Sequence, residues 1–206
     1  MSDPQPIDAV LPELLASLAV QPRVVLEAPP GAGKTTRVPL ALLKASWCTG
    51  KVLMLEPRRI AARAAAGFMA AQLGEAVGET VGYRIRFERK VSARTRVEIV
   101  TEGILTRMLQ DDPLLDGVSA VVFVEFHGRH LASDLGLAMC LEVQAGVRPE
   151  LRLVVMSATL DGERLASYMD APRVTSEGRT FPVDVSYLPL QARETPALQF
   201  KRAVRQ

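Results

Sequence analysis

Glu27-Ala28-Pro29-Pro30-Gly31-Ala32-Gly33-Lys34-Thr35-Thr36 is the stretch from which the fold is read. It follows a short apolar run, Val24-Val25-Leu26, and leads into Arg37-Val38-Pro39-Leu40-Ala41-Leu42-Leu43-Lys44, which has helical character. Strand, glycine-rich turn, Gly-Lys-Thr and helix in that order form a phosphate loop in the context that gives the pattern meaning. Gly31 and Gly33 let the backbone curl so that successive N–H groups converge on phosphate oxygens. The helix opening near Lys34 adds unpaired N–H groups and the positive end of its dipole. Lys34 is expected to reach the outer phosphates, and the Thr35 hydroxyl to face Mg²⁺. The strict pattern begins with Gly, and here that position is Ala28.

Working outward, the chain of 206 residues suffices for one sizeable α/β domain. Apolar residues make up 48% and charged residues 23%, which excludes a disordered or strongly polar chain. Net charge is only +2, yet 20 of the 25 basic residues are Arg, the side chain whose fork matches phosphate. Cys48 and Cys140 stand far apart in no metal spacing, as expected of a reduced, cytoplasmic protein. The amino terminus shows no basic-then-apolar leader, and no apolar run reaches the ~20 residues of a membrane span.

Ile7, Val10, Leu11, Leu14, Leu15 and Leu18 fall on one helical face, with Pro12 suited to a first turn. After the loop, Lys51–Pro57 reads as a buried strand and Ala61–Leu73 as an alanine-rich helix stopping at Gly74. Val81–Phe87 alternates like a half-exposed strand, and Val97–Val100 is another strand, before a helix from Gly103 to Gln110. Val118–Phe126 is the most β-branched run and is expected at the centre of the sheet. A helix over 131–143, a strand over 151–156, a helix over 161–169 and a strand over 183–187 complete the alternation. Such alternation implies a mainly parallel sheet with helices on both faces. The ligand-bearing rim is then the carboxyl ends of the strands. Residues 190–206 lack periodicity and read as a linker after a domain spanning 1–189.

Those strand ends carry Leu55-Glu56-Pro57-Arg58-Arg59, Thr101-Glu102-Gly103, Glu125-Phe126-His127 and Ser157-Ala158-Thr159. With the phosphate loop, these stretches occur in the order of motifs I, Ia, Ib, II and III of the superfamily 2 helicases. The chain resembles the DEAH type. Gly82-Tyr83-Arg84-Ile85-Arg86-Phe87 and Glu177-Gly178-Arg179-Thr180-Phe181-Pro182-Val183 are similar to bacterial HrpB-type ATP-dependent helicases. The resemblance runs from about Ile7 to Pro189, and it accounts for Ala28, since this superfamily accepts Ala there.

The resemblance implies a RecA-like P-loop domain that binds ATP and Mg²⁺ and grips one strand of RNA or DNA by its phosphate backbone. Pro30, Gly31, Ala32, Gly33, Lys34, Thr35 and Thr36 would hold the nucleotide, with Thr35 and Glu125 toward the metal. Glu125 would activate the attacking water, with His127 and Lys34 completing the catalytic set. Ser157 and Thr159 would couple nucleotide state to the nucleic-acid groove, with Ser157 meeting His127. Arg58, Arg59, Thr101 and Gly103 would contact the sugar-phosphate backbone. It also implies a second, similar lobe that supplies arginines, expected beyond Gln206.

One position departs from the family. Motif II should read Asp-Glu-x-His, and this chain reads Val124-Glu125-Phe126-His127. Mg²⁺ prefers oxygen donors, and an isopropyl group offers none. Gly128 stands where Glu is usual and His130 where a small polar residue is usual. The expectation is an ATP-dependent helicase lobe, with a nucleotide- and nucleic-acid-binding module of reduced turnover as its alternative. Other chemistries fit less well. Glu125, His127, His130 and Asp134 straddle a strand end and a helix start, which does not gather four ligands on one face. Ser157 lies in no nucleophile elbow. Arg84, Arg86, Arg89, Arg94 and Arg96 read as a solvated face, and Trp47 and the scattered methionines as packing.

Overall fold

A computed structural model describes residues 4–124, 126, 131–158 and 162–177, and the statements below concern these. A 3-10 turn over Pro6–Ala9 precedes α1 (Leu11–Val20), whose second residue is Pro12, where a missing N–H costs nothing. The elements that follow are β1 (Arg23–Glu27), α2 (Lys34–Leu42), β2 (Lys51–Leu55), α3 (Arg59–Leu73), β3 (Val81–Ile85) and β4 (Glu88–Lys90). They continue with β5 (Val97–Val100), α4 (Glu102–Asp111), β6 (Val118–Phe123), α5 (Leu131–Gly146), β7 (Arg152–Ser157), α6 (Gly162–Met169) and β8 (Arg173–Thr175).

The eight strands form one sheet in the order β4-β3-β5-β2-β6-β7-β1-β8. Every neighbouring pair is parallel except β3 with β4, an antiparallel hairpin at one edge. Burial on both faces explains why the central strands are near-continuous Val, Leu, Ile and Phe. Alternation along each strand then sorts the core into two layers. Val24, Leu26, Val52, Met54, Val122 and Val154 pack with Leu14 and Leu18 of α1, Val38 of α2 and Ala66 and Met69 of α3. Val25, Leu53, Val121, Phe123 and Val155 pack with Leu105 and Leu109 of α4, Leu137 and Cys140 of α5 and Met169 of α6. The expected α/β architecture is therefore present, with β6 among the inner strands.

Three details differ from the sequence reading. Val81–Phe87 buries its alternating apolar residues Val81, Tyr83 and Ile85 as the pattern implies, but the strand ends at Ile85 and its other face is largely covered, with Gly82 buried and Arg84 half-buried. Phe87 takes a positive φ of 66° and turns the chain into β4, leaving its ring 90% exposed. The hairpin closes tightly because Gly82 has no side chain; a Cβ there would lie 2.3 Å from the Lys90 carbonyl oxygen. Tyr83 and Arg63 both donate to the Glu88 carboxylate, fastening the hairpin to α3. These bonds, the Tyr83 hydroxyl first, hold the Glu88 carboxyl below the usual range.

The arginine cluster is also only partly a solvated face. Arg84 Nη2 lies 2.8 Å and Lys51 Nζ 3.4 Å from the carboxylate of Glu98, which is 1% exposed. Arg96 donates to the backbone oxygens of Gly50 (3.1 Å) and Cys48 (2.9 Å). Arg84 therefore forms an ion pair with a buried carboxylate and Arg96 donates to two backbone carbonyls, neither of which a one-dimensional charge count can show. Finally, β4 and β8 have three residues each, too short for a period to register in sequence. The strand expected over 183–187 and the segment 190–206 lie outside the described residues. Trp47 packs against the first core layer with the Arg152 guanidinium 5.3 Å from its ring centre.

Candidate functional site

The carboxyl ends of β1, β2, β5, β6 and β7 share one edge of the sheet, so the motifs they carry form one rim. Glu27 at the end of β1 is in register with Ser157 at the end of β7. Immediately beyond, Ala28 N–H donates to the Ser157 carbonyl at 3.1 Å, which fixes where the phosphate loop leaves the sheet.

Within the loop, Gly31 and Gly33 have φ of 78° and 89°, values at which any other residue is strained. Gly33 is the N-cap of α2, so the loop delivers the helix's first N–H groups to its own concavity. The glycine is needed twice over: a Cβ on it would stand 3.0 Å from Gln5 Cβ and 3.4 Å from Ile7 Cγ2. The amino-terminal turn thus braces the loop from behind, and Ile7 N–H donates to the Ala32 carbonyl at 3.1 Å. Asp8 accepts the Gln5 N–H at 2.8 Å and lies 3.9 Å from Arg37 Nε of α2. In sequence this turn belongs to a helical pattern, and nothing in its periodicity marks it as a support.

Lys34 is only 4% exposed, and its Nζ donates to the carbonyls of Ala28 (3.0 Å) and Pro29 (3.5 Å). A buried ammonium needs such acceptors, and here they come from the loop it serves. Thr35 is half-buried in the first turn of α2, and Thr36 donates its hydroxyl to the Gly33 carbonyl at 3.4 Å. Pro30 and Gly31 are exposed at the tip.

Two strands away from β1 the rim changes character. Val124, one residue past β6, donates its N–H to the Leu55 carbonyl at 3.0 Å and is 3% exposed. Its side chain belongs to the same apolar layer as Ala28 and Ala32. Among the described residues no three His, Cys, Asp or Glu side chains are grouped to hold a metal. The described donors therefore suit phosphate at the loop, with the Thr35 hydroxyl in the first turn of α2, but Val124 adds no oxygen toward Mg²⁺ at the end of β6. Glu125, His127 and Thr159 lie outside the described residues.

The remaining rim residues flank β2. Arg58 is the N-cap of α3, with its side chain 69% exposed, and Arg59 is the exposed first residue of that helix. Thr101 is the N-cap of α4 and Gly103 is exposed in its first turn. α3 and α4 lie on opposite faces of the sheet but begin after the neighbouring strands β2 and β5, so exposed cationic side chains and the buried Thr101 hydroxyl share one stretch of rim, a chemistry suited to phosphodiesters. Glu56, to which the sequence alone assigns no role, continues β2 on this rim; it is 2% exposed and accepts the Arg58 N–H at 3.2 Å. A carboxylate directly after an apolar strand and before Pro was the available signal. Glu102 is likewise engaged, accepting the Ser133 hydroxyl at 2.5 Å and tying α4 to α5.

A mainly parallel sheet with helices on both faces and a phosphate loop after β1 is the RecA-like P-loop fold. The profile of the DEAD/DEAH box helicase family matches residues 8–167, and the chain belongs to that family. It is 54% identical over 190 residues to the ATP-dependent RNA helicase HrpB of Escherichia coli (strain K12), covering 92% of this chain and 24% of that protein. It is 36% identical over 169 residues to the ATP-dependent RNA helicase HrpA homologue of Haemophilus influenzae, covering 81% and 13% respectively. The crystal structure of the Escherichia coli DEAH/RHA helicase HrpB superposes with a TM-score of 0.89 at 50% identity, covering 98% of this chain and 26% of that one. The chain thus spans about a quarter of the HrpB proteins it matches. Among the described residues no helix is long and apolar enough to cross a membrane.

Proposed function

We propose that this chain forms the nucleotide-binding lobe of an ATP-dependent RNA helicase, gripping ATP at the phosphate loop and a nucleic-acid strand along the neighbouring rim. The observation that carries the reading is the loop itself: Gly31 and Gly33 at positive φ, Gly33 capping α2, and Lys34 folded onto the loop's carbonyls. A triphosphate would draw Lys34 Nζ from those carbonyls to its outer oxygens. Thr35 would face Mg²⁺, whose chemistry when bound is to neutralise charge on the phosphates. Glu125 would activate the attacking water with His127 and Lys34 completing the catalytic set, and Ser157 and Thr159 would couple nucleotide state to the nucleic-acid groove. Arg58, Arg59, Thr101 and Gly103 would hold the strand by its phosphates, without reading sequence. The lobe would extend to about residue 189, with 190–206 leading toward a second lobe, in a cytoplasmic protein. Titration with a fluorescent ATP analogue tests the nucleotide half: wild-type should bind and Lys34→Ala should weaken binding at least ~10-fold. Equal binding by both would overturn it.

A second reading has its own observation. Val124 fills the end of β6 with an isopropyl group that is buried in the core layer beneath the loop. On this reading the lobe binds nucleotide and nucleic acid with severely reduced hydrolysis. Losing a metal anchor is worth a few kcal/mol at the transition state, and each ~1.4 kcal/mol is tenfold in rate. Turnover at the rate of a family member with Asp at this position, unchanged by Val124→Asp, would overturn it.

A further inference from the structure

The structure assigns to Glu56 a positioning role: its buried carboxylate holds the Pro57-Arg58-Arg59 turn, and with it the Arg58 guanidinium, in the orientation that meets a nucleic-acid phosphate. The assignment deepens the nucleic-acid half of the proposed function and rests on it. Glu56 continues β2, with its N–H donating to the Val100 carbonyl at 3.0 Å, so it lies between Thr101 on one side and Val124 on the other. A carboxylate 2% exposed at the end of a strand is costly unless it is engaged. It is engaged by the turn that follows it: Oε1 accepts the Arg58 N–H at 3.2 Å and lies 3.6 Å from Arg58 Nε. One oxygen thus contacts the backbone and the side chain of the same residue. Its companion contact is made from below, since the Glu56 side chain is 3% exposed whereas that of Arg58 is 69% exposed.

The arrangement has a mechanical consequence. Arg58 caps α3 without a side-chain cap bond, and the Glu56 carboxylate gives the first turn of the helix a direct link to the end of β2. A guanidinium on a free loop loses rotamer entropy each time it binds; one held from behind has already lost part of it. Charge alone would predict the opposite effect, because a carboxylate beside the arginine repels an incoming phosphate. The two effects are separable by experiment.

The test is binding of a fluorescein-labelled single-stranded oligouridylate by anisotropy, at several salt concentrations, for wild-type, Glu56→Gln, Arg58→Ala and the double variant. Arg58→Ala should weaken binding several-fold and flatten the slope of log K against log salt by about 0.7, the release expected for one phosphate contact on a single strand. Glu56→Gln should weaken binding about 3- to 10-fold with the salt slope unchanged, and should have no effect in the Arg58→Ala background. Tighter binding by Glu56→Gln, or losses that simply multiply in the double variant, would overturn the assignment. Amide hydrogen exchange on the chain without nucleic acid gives an independent measurement. Exchange at residues 58–60 should accelerate in Glu56→Ala, which removes the acceptor, while that at 34–37 stays unchanged; equal exchange in wild-type and Glu56→Ala would also overturn the assignment. If wild-type fails to bind the oligouridylate, the nucleic-acid reading fails, and the exchange result alone decides whether Glu56 holds the turn.

Discussion

The ends of β1 and β6 sit on the same edge of the sheet and are built to opposite specifications. At β1 the chain leaves the strand into two positive-φ glycines, a buried ammonium and a helix start, all arranged around polar groups. At β6 it leaves through Val124, an apolar residue packed into the core layer that underlies the loop. The comparison teaches that folding and catalysis ask different things of a strand end. Packing accepts Val at the end of β6, because a β-branched residue suits a buried strand. A role for this strand end in holding Mg²⁺, as proposed above, would instead call for an oxygen donor.

The sharpest way to break the comparison is to remove what keeps the end of β6 in place. Phe123 is fully buried and meets Phe126 edge-on with centroids 6.2 Å apart. Phe123→Ala should cost ~3–5 kcal/mol of stability, measured by urea unfolding. Gly33→Val comes next, since it demands a positive φ and a Cβ against Gln5. It should cost ~2–4 kcal/mol and abolish detectable nucleotide binding, with the melting temperature and an analogue titration as readouts. Val124→Asp sharpens the contrast in the other direction. It should raise nucleic-acid-stimulated ATP turnover ~100-fold and make nucleotide affinity more dependent on Mg²⁺, while lowering the melting temperature by a few degrees, because a carboxylate enters an apolar layer.

The smallest expected effect concerns the far face of the sheet. Cys140 of α5 is completely buried beneath β6, and burial pushes its thiol from the ordinary 9.0 to about 12. A raised folded-state value means the neutral thiol is stabilising below pH 9 and that this contribution fades as pH climbs from 9 toward 12. Cys140→Ala should therefore flatten the alkaline limb of stability against pH, checked by urea unfolding across that range. A thiol reagent at pH 8 should leave Cys140 unmodified until denaturant is added.

How legible each part was follows from the range of the forces involved. The phosphate loop could be read in full because its requirements are local: two glycines, one lysine and a helix start within ten residues. The parallel sheet was legible for a similar reason, since apolar runs of four to six residues separated by helical periods leave few other architectures. The hairpin β3–β4 was not, because Phe87 in the left-handed region carries no Gly or Asn to announce it. Arg84 and Arg96 look solvated in sequence because their partners, the Glu98 carboxylate and the Cys48 and Gly50 carbonyls, are distant in the chain. The place of Glu56, after an apolar strand and before Pro57, hints at burial, but that its carboxylate turns onto Arg58 depends on the tertiary fold.

By itself, then, the sequence determined the chemical inventory of the rim and the departure at Val124, since residue type and order are all that those statements need. Only the tertiary structure decided which groups stand together. It set the amino-terminal turn behind the phosphate loop, placed Glu56 between Thr101 and Val124, and packed Val124 into the layer that contains Ala28 and Ala32. The physical reason is strand order. Neighbours in the sheet are distant in the chain, so β2, β6, β7 and β1 bring their ends together only when their two apolar layers close.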